Sequence, residues 1–301
     1  NSFGGFKLST VHTTNFPVNT NWKIRCVNCG KLEATERKTY STPDPYEQTV
    51  GISADGYWRS WVSCMHCGLF RSEYSRDSEI IHTIYESDYR ASNTTWRKQS
   101  VEDLFLKIIN IPKEESETAF RLDWLRSSLK ILEQSGLCKL SENPSMIDIG
   151  GASGVFAYAM KEQGFEASVV DPSSDGSFIE KYGISYQKGY FGQDDTQYNL
   201  LSFLYVLEHV NDPSELLELS KSRLKPNGIL FFELPDASAF HIVEEDHDAF
   251  NACHLWLFGA SHITSLLQKH GFSVLALQRY RTVRGYPSLM VIAGHTAEID
   301  A

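Results

Sequence analysis

Apolar and polar positions follow three successive patterns along the chain. From Trp22 to about Arg97 the sequence is aromatic and turn-rich, short on helical periodicity and broken by Pro43 and Pro45, while the alternation in YWRSWVSC predicts a strand. At Val101 the pattern changes: VEDLFLKII places apolar residues at helical spacing, and a second helix is predicted from about Glu117 to Gln134. Beyond Gly136 and Pro144 comes an apolar strand, a Gly-rich turn, a helix and another strand, repeating from Met146 to about residue 235. Such alternation predicts a parallel sheet covered by helices. The final stretch predicts a helix over Ser261–His270, stopped by Gly271, and then SVLALQRY and SLMVIAG as a closing antiparallel pair. Residues 1–20 are rich in Asn, Thr and Ser without periodicity and read as a leader or surface arm. The expected units are a leader and small domain over 1–100, linking helices over 101–135, and an α/β domain over 136–301.

Composition narrows the class. Hydrophobic residues make up 42% and charged residues 22%, which is the range of a chain that buries a core. No stretch approaches the roughly 18 apolar residues that would span a bilayer, and no basic flank precedes an apolar run. The expectation is a cytoplasmic protein with no membrane partner. The net charge of -10 is uneven, because the first hundred residues carry 12 basic against 10 acidic side chains. An acidic main domain lacks the concentrated positive face that holds a phosphate backbone, so nucleic acid is a poor partner. Four of the six cysteines, Cys26, Cys29, Cys64 and Cys67, stand in CVNCG and CMHCG. With no export signal, metal is a better reading than disulfides, and four thiolates suit tetrahedral zinc. A complete thiolate shell leaves no open position, so this zinc is expected to be structural and His66 stays outside it.

The segment MIDIGGASGVFAYAMKEQGFEASVVDPSS carries the candidate cofactor chemistry. An apolar strand ends near Asp148, Gly150 and Gly154 allow a sharp turn with close ligand approach, and a helix starts near Val155. About 20 residues after the turn, the next strand ends in Asp171, placed to accept hydrogen bonds from ribose hydroxyls. An adenosine-containing cofactor is expected. The order DIGGASG resembles the motif of class I methyltransferases, an acid followed by alternating small positions, here Gly150, Ala152 and Gly154. The stretch YNLLSFLYVLEHVNDPSELLELSKSRLKPNGILFFELPD is similar to the same family in its EH pair and LKPNG turn, with Asn199 where Asp is usual. The resemblance implies a doubly wound, Rossmann-like sheet and S-adenosylmethionine as cofactor. It also implies that the Asp148–Gly154 segment lies against the methionine part and ribose, that Asp171 holds the ribose, that Leu204 and Tyr205 flank the sulfonium, and that Gly189 and Tyr190 lie near adenine.

A cysteine-knuckle domain followed by IYESDYR and this domain resembles bacterial sugar methyltransferases, some of which methylate carbon of nucleotide-linked deoxysugars. In those carbon-methylating members a Tyr, a Glu and a His gather over the acceptor. In FNACHLWLF only His254 matches, with Asn251 and Cys253 at the other two positions. A single neutral imidazole can take a hydroxyl proton during methyl transfer, so O-methylation of a sugar or glycan hydroxyl, with His254 as base, is the leading expectation. Carbon methylation of a nucleotide-linked sugar and an inactive binding module are the alternatives. Glu208 and His209 are candidates for an acid/base pair, but a structural role in capping the following helix is the favoured reading. His241, His247 and His262 are weaker base candidates, and Tyr46, Tyr57, Trp58 and Trp61 are expected to form a small core around the zinc.

Overall fold

The computed structural model describes residues 22–76, 80–86, 100–172 and 176–296; the predicted leader and the end of IYESDYR lie outside them. The N-terminal unit contains β1 (Ala34–Tyr40), α1 (Pro45–Thr49), β2 (Arg59–Cys64), β3 (Phe70–Tyr74) and α2 (Ile80–Glu86). Asp44 starts α1 with a reciprocal cap, its carboxylate accepting from the N–H groups of Tyr46 and Glu47, and Pro45 supplies the preset φ of a first helical residue. β1, β2 and β3 form an antiparallel meander, as the YWRSWVSC alternation predicted for β2.

Two helices lead onward, α3 (Val101–Ile109) and α4 (Glu117–Gln134), both where helical spacing placed them. Ser100 and Ser116 cap them through their hydroxyls. The main domain follows with β4 (Ser145–Ile149), α5 (Val155–Lys161), β5 (Glu166–Asp171), β6 (Ser185–Lys188), β7 (Tyr198–Leu204), α6 (Pro213–Arg223) and β8 (Leu224–Pro235). After these come β9 (Trp256–Leu257), α7 (Ala260–Lys269), β10 (Phe272–Arg281) and β11 (Pro287–His295).

The large sheet has the order β10-β11-β8-β7-β4-β5-β6. Strands β8, β7, β4, β5 and β6 are parallel, and β11 inserts antiparallel between β8 and β10. This is the doubly wound α/β sheet expected from the sequence, with the expected antiparallel closing pair. Its inner strands are buried on both faces, as a sheet covered on two sides requires. In β8, Leu230 and Phe232 face α6 and α7, whereas Ile229 and Phe231 face α4 and α5. The strand order reverses beside β4, which opens a crevice at the carboxyl ends of β4, β5 and β7.

One feature of the small sheet was not foreseen. Its order is β1-β2-β3-β9, so its fourth strand comes from Trp256–Leu257, far along the chain. The core around Cys26, Cys64 and Leu69 is continuous with Ile263, Leu266 and Leu267 of α7. Small unit and large sheet therefore share a core.

Candidate active site and cysteine cluster

The loop from Gly150 to Gly154 joins β4 to α5 at the crevice. Gly150 (φ 66°), Ala152 (φ 48°) and Gly154 (φ 73°) are all left-handed, a conformation that costs an alanine but not a glycine. A methyl group at Gly150 would come within 2.7 Å of Val206, and one at Gly151 within 2.7 Å of the Asp148 carboxylate. The loop therefore stays bare along its inner edge. Asp171, at the end of β5, fixes it by accepting the N–H of Ala152 at 2.8 Å, and the carbonyl of Asp171 accepts the N–H of Gly189 at 3.1 Å. Asp148, Gly150, Ala152, Gly154, Asp171, Gly189, Leu204 and Tyr205 are thus all at the carboxyl ends of neighbouring strands. Tyr190, next to Gly189, is 44% exposed.

Asp148 is buried beneath the loop, where the Ser202 hydroxyl donates to it at 2.6 Å. Burial pushes its carboxyl up to about 7, against the opposing pull of that hydrogen bond and of Arg121. Tyr205 follows β7 with φ 55°, and its hydroxyl pairs with Ser288 at 2.9 Å. Beside it lies a buried cluster missed by sequence reasoning: Glu233 accepts from both arms of Arg121 and from the Tyr280 hydroxyl. The acid inside the apolar run ILFFELP was the available signal for Glu233. Nothing local marked Arg121, which lies 112 residues away on α4.

A second cluster joins the three candidate catalytic residues. Ligand atoms of Glu208, His209 and His254 lie within 4.8 Å of one another, although the two histidines are far apart in sequence. The two rings meet edge to face at 4.6 Å between centroids. Each imidazole is oriented by a backbone carbonyl, His209 Nδ1 by Cys253 at 2.9 Å and His254 Nδ1 by Ala249 at 2.9 Å. A carbonyl can only accept, so both Nδ1 atoms carry a proton, and a neutral His254 then keeps its lone pair on Nε2. Burial holds His254 below its ordinary value, hence neutral at pH 7. Asn251 has its side-chain amide 3.4 Å from His254 Nε2. The other histidines serve elsewhere. His247 caps the turn at Asp248–Phe250, His241 packs on Phe70 and Phe240, and His262 bonds to the Cys67 carbonyl at 2.9 Å.

Cys26, Cys29, Cys64 and Cys67 converge, with their sulfurs within 4.8 Å of one another. Cys26 and Cys67 are 3.4 Å apart and Cys29 and Cys64 3.5 Å apart, too long for disulfides. Tetrahedral zinc with Zn–S bonds of about 2.3 Å sets sulfurs about 3.8 Å apart, so the donor set fits that ion. The two knuckles repeat one backbone pattern. Gly30 and Gly68 return their N–H groups to the Cys26 and Cys64 carbonyls, while the N–H groups of Cys26 and Cys64 donate to Lys31 and Leu69. Gly30 (φ 72°) and Gly68 (φ 79°) supply the left-handed residue each bend requires. Burial pushes the Cys26 thiol up to about 11; at Cys64 burial acts the same way but the N–H groups of Cys67 and His66 outweigh it and lower the thiol. The expected aromatic core around the cysteines does not form: Trp61 packs with Ala237, Phe240, Phe250 and Leu257, Trp58 packs against Trp22, Ala34 and Val62, and the buried Tyr57 donates its hydroxyl to Glu47.

A sheet of this order with a small-residue turn and a strand-end acid at the crevice defines a class I S-adenosylmethionine-dependent methyltransferase domain. The profile described as "Methyltransferase domain" matches residues 122–277, over half of the chain, and the chain belongs to that family. It is similar to the ubiquinone biosynthesis O-methyltransferase of Pasteurella multocida (strain Pm70), 26% identical over 141 residues, covering 40% of this chain and 57% of that enzyme. The corresponding enzyme of Histophilus somni (strain 2336) is also 26% identical over 141 residues, covering 41% and 54%. The chain thus matches little more than half the length of these curated relatives. In fold it is similar to the Burkholderia thailandensis 1,6-didemethyltoxoflavin-N1-methyltransferase, with a TM-score of 0.50 and 13% identity over 79% of this chain and 96% of that one. Among the described residues no helix is long and apolar enough to cross a membrane.

Proposed function

We propose that the protein transfers a methyl group from S-adenosylmethionine to a hydroxyl oxygen of a small-molecule or glycan acceptor, a sugar hydroxyl being the first class to test. The observation that carries this reading is His254, held in one tautomer and kept neutral beside Glu208 and His209. The Gly150–Gly154 loop fits the cofactor because its glycines let it pack directly on Val206 and Asp148, which keeps the turn close to the strand ends at the crevice. Asp171 would take the ribose hydroxyls, Gly189 and Tyr190 would flank the adenine, and Leu204 and Tyr205 would stand beside the sulfonium. When bound, the cofactor supplies an electrophilic methyl group.

The protein's own part is alignment and proton removal. His254 Nε2 would take the proton of the acceptor hydroxyl, with Nδ1 anchored on Ala249 so that the ring cannot turn away. His209, anchored in the same way on Cys253, would orient the acceptor or relay the proton, and Glu208 would stabilise the positive charge that develops. The four cysteines would hold one structural zinc ion, with no open position for chemistry. The 1–100, 101–135 and 136–301 division is kept as the functional organisation, with β9 lent by the last unit to the first.

The test is calorimetric titration with S-adenosylmethionine and S-adenosylhomocysteine, followed by a screen of hydroxylated acceptors. Micromolar binding that Asp171→Ala abolishes, with turnover lost in His254→Ala, is the expected result. Binding without turnover on any acceptor would favour a binding module, and methyl recovered on carbon would overturn the O-methylation reading.

A further inference from the structure

The loop that carries His254 hangs between two sets of partners. On one side His209 Nδ1 donates to the Cys253 carbonyl, and the Glu208 carbonyl accepts the N–H of Leu255 at 2.7 Å. On the other side stand four charged residues of the N-terminal unit. Arg59 donates to the Phe250 carbonyl at 2.8 Å, Arg76 donates to the Ala252 carbonyl at 2.8 Å, and the Asp44 carboxylate accepts the N–H of Ala252. Ser72 of β3 adds a backbone bond to the Leu255 carbonyl at 2.8 Å. Glu47, fully buried, accepts from Arg76 and from the Tyr57 hydroxyl. Two acids and two guanidinium groups balance one another, and the Arg59 guanidinium lies over the Tyr40 ring at 4.3 Å.

We infer that Asp44, Glu47, Arg59 and Arg76 form a positioning device: the small domain sets the backbone of the 249–255 loop and thereby aims the His254 ring at the acceptor. The physical argument is one of cost. A buried charged network needs good geometry and full pairing to be tolerated, and apolar packing would hold the two units together at least as well. Charges earn a place here because three of them bind backbone atoms of a single short loop, fixing its conformation in a way that apolar contact cannot. His254 Nδ1 is bonded to Ala249 inside the same loop, so a shift at Phe250 or Ala252 turns the imidazole. The inference rests on the role proposed for His254.

Three variants of the zinc-loaded protein test it: Arg59→Met, Arg76→Lys, and the charge-balanced pair Arg76→Met with Glu47→Gln. The readouts are amide hydrogen exchange over 249–257, S-adenosylmethionine affinity, and the tautomer and titration of His254 by NMR with labelled histidine. In Arg59→Met and in the pair, loop exchange should accelerate by about tenfold to a hundredfold, the loss of a charge-assisted hydrogen bond, with cofactor affinity unchanged. His254 faces Arg59, Asp44, Asp248, Glu208 and His209, so removing the Arg59 charge should move its titration upward. Arg76→Lys should restore much of the protection. Unchanged loop exchange and an unmoved His254 signal would overturn the inference. So would acceleration spread evenly over the large sheet together with lost cofactor affinity, since that marks a general prop. If wild-type protein fails to bind the cofactor, the proposed function falls while the loop exchange still decides the positioning role.

Discussion

Replacing Arg121 by Met should expose how the crevice is held together. The Arg121 side chain is 12% exposed and Glu233 is fully buried, so the substitution leaves a carboxylate in the interior without its guanidinium partner, while the Tyr280 hydroxyl still donates to it. Breaking a buried pair in this manner costs about 3–5 kcal/mol. Tyr280 continues to donate, which places the expectation at the lower end, about 3 kcal/mol. For a domain of this size about 2–4 °C are lost per kcal/mol, so the melting temperature should fall by about 6–12 °C. Adding Glu233→Gln removes the orphaned charge, and the double variant should regain more than half of the loss. The assay is urea denaturation at pH 7 for the four members of the cycle, read by tryptophan fluorescence and checked by calorimetric scanning. A loss below about 1 kcal/mol, or a double variant no better than the single one, would refute the reasoning and show the charges to be solvated or already relaxed.

Other outcomes follow from the same geometry. The purified protein should carry one zinc per chain by native mass spectrometry, and Cys29→Ser should lower both zinc content and melting temperature; a chain that is metal-free yet equally stable would contradict the four-thiolate site. Gly151→Ala should weaken S-adenosylmethionine binding at least about tenfold, because its methyl would press on the Asp148 carboxylate, and an unchanged dissociation constant would show that the loop moves freely. Asp148 has a folded-state value raised to about 7 from an ordinary value of about 3.9, so its protonation favours folding at low pH and that advantage is lost as pH rises through 7. Stability of the wild type should therefore fall from about pH 4 to about pH 7 relative to Asp148→Asn and level off above that, and parallel pH profiles for the two proteins would count against a buried neutral carboxyl.

Strong local signals made most of the fold legible. Asp148 and Asp171 mark strand ends, Gly150 and Gly154 mark the turn between them, and the spacing in VEDLFLKII gives a helix without any tertiary information. The cysteine knuckles were legible for the same reason, since each bend is written in five consecutive residues. What escaped is what depends on distant partners. β9 is two residues long, too short for any periodicity, and exists because Phe70 and Arg71 pair with it. α2 has its turns in IIHTIYE, inside a stretch that otherwise lacked helical pattern. Glu208 and His209 read more as a helix cap than as chemistry because their meeting with His254 is made by a loop that returns some 45 residues later. The four charged residues beneath that loop carry no local signal along the chain, since only the fold brings Asp44, Glu47, Arg59 and Arg76 against it.

The pairing of β3 with β9 also dictates an order of events during synthesis. Tyr74 leaves the ribosome long before Trp256, and at translation rates of about 5–20 residues per second the interval is roughly 10–40 s. Throughout that time the meander of β1, β2 and β3 has an unpaired edge carrying Phe70, and Arg59 and Arg76 have no carbonyls of the 249–255 loop to bind. A bare strand edge beside polar groups that still await their partners is a state prone to wrong partners. The first unit to emerge is thus among the last to be completed, and nascent chains stalled before residue 256 should be the ones that chaperones hold.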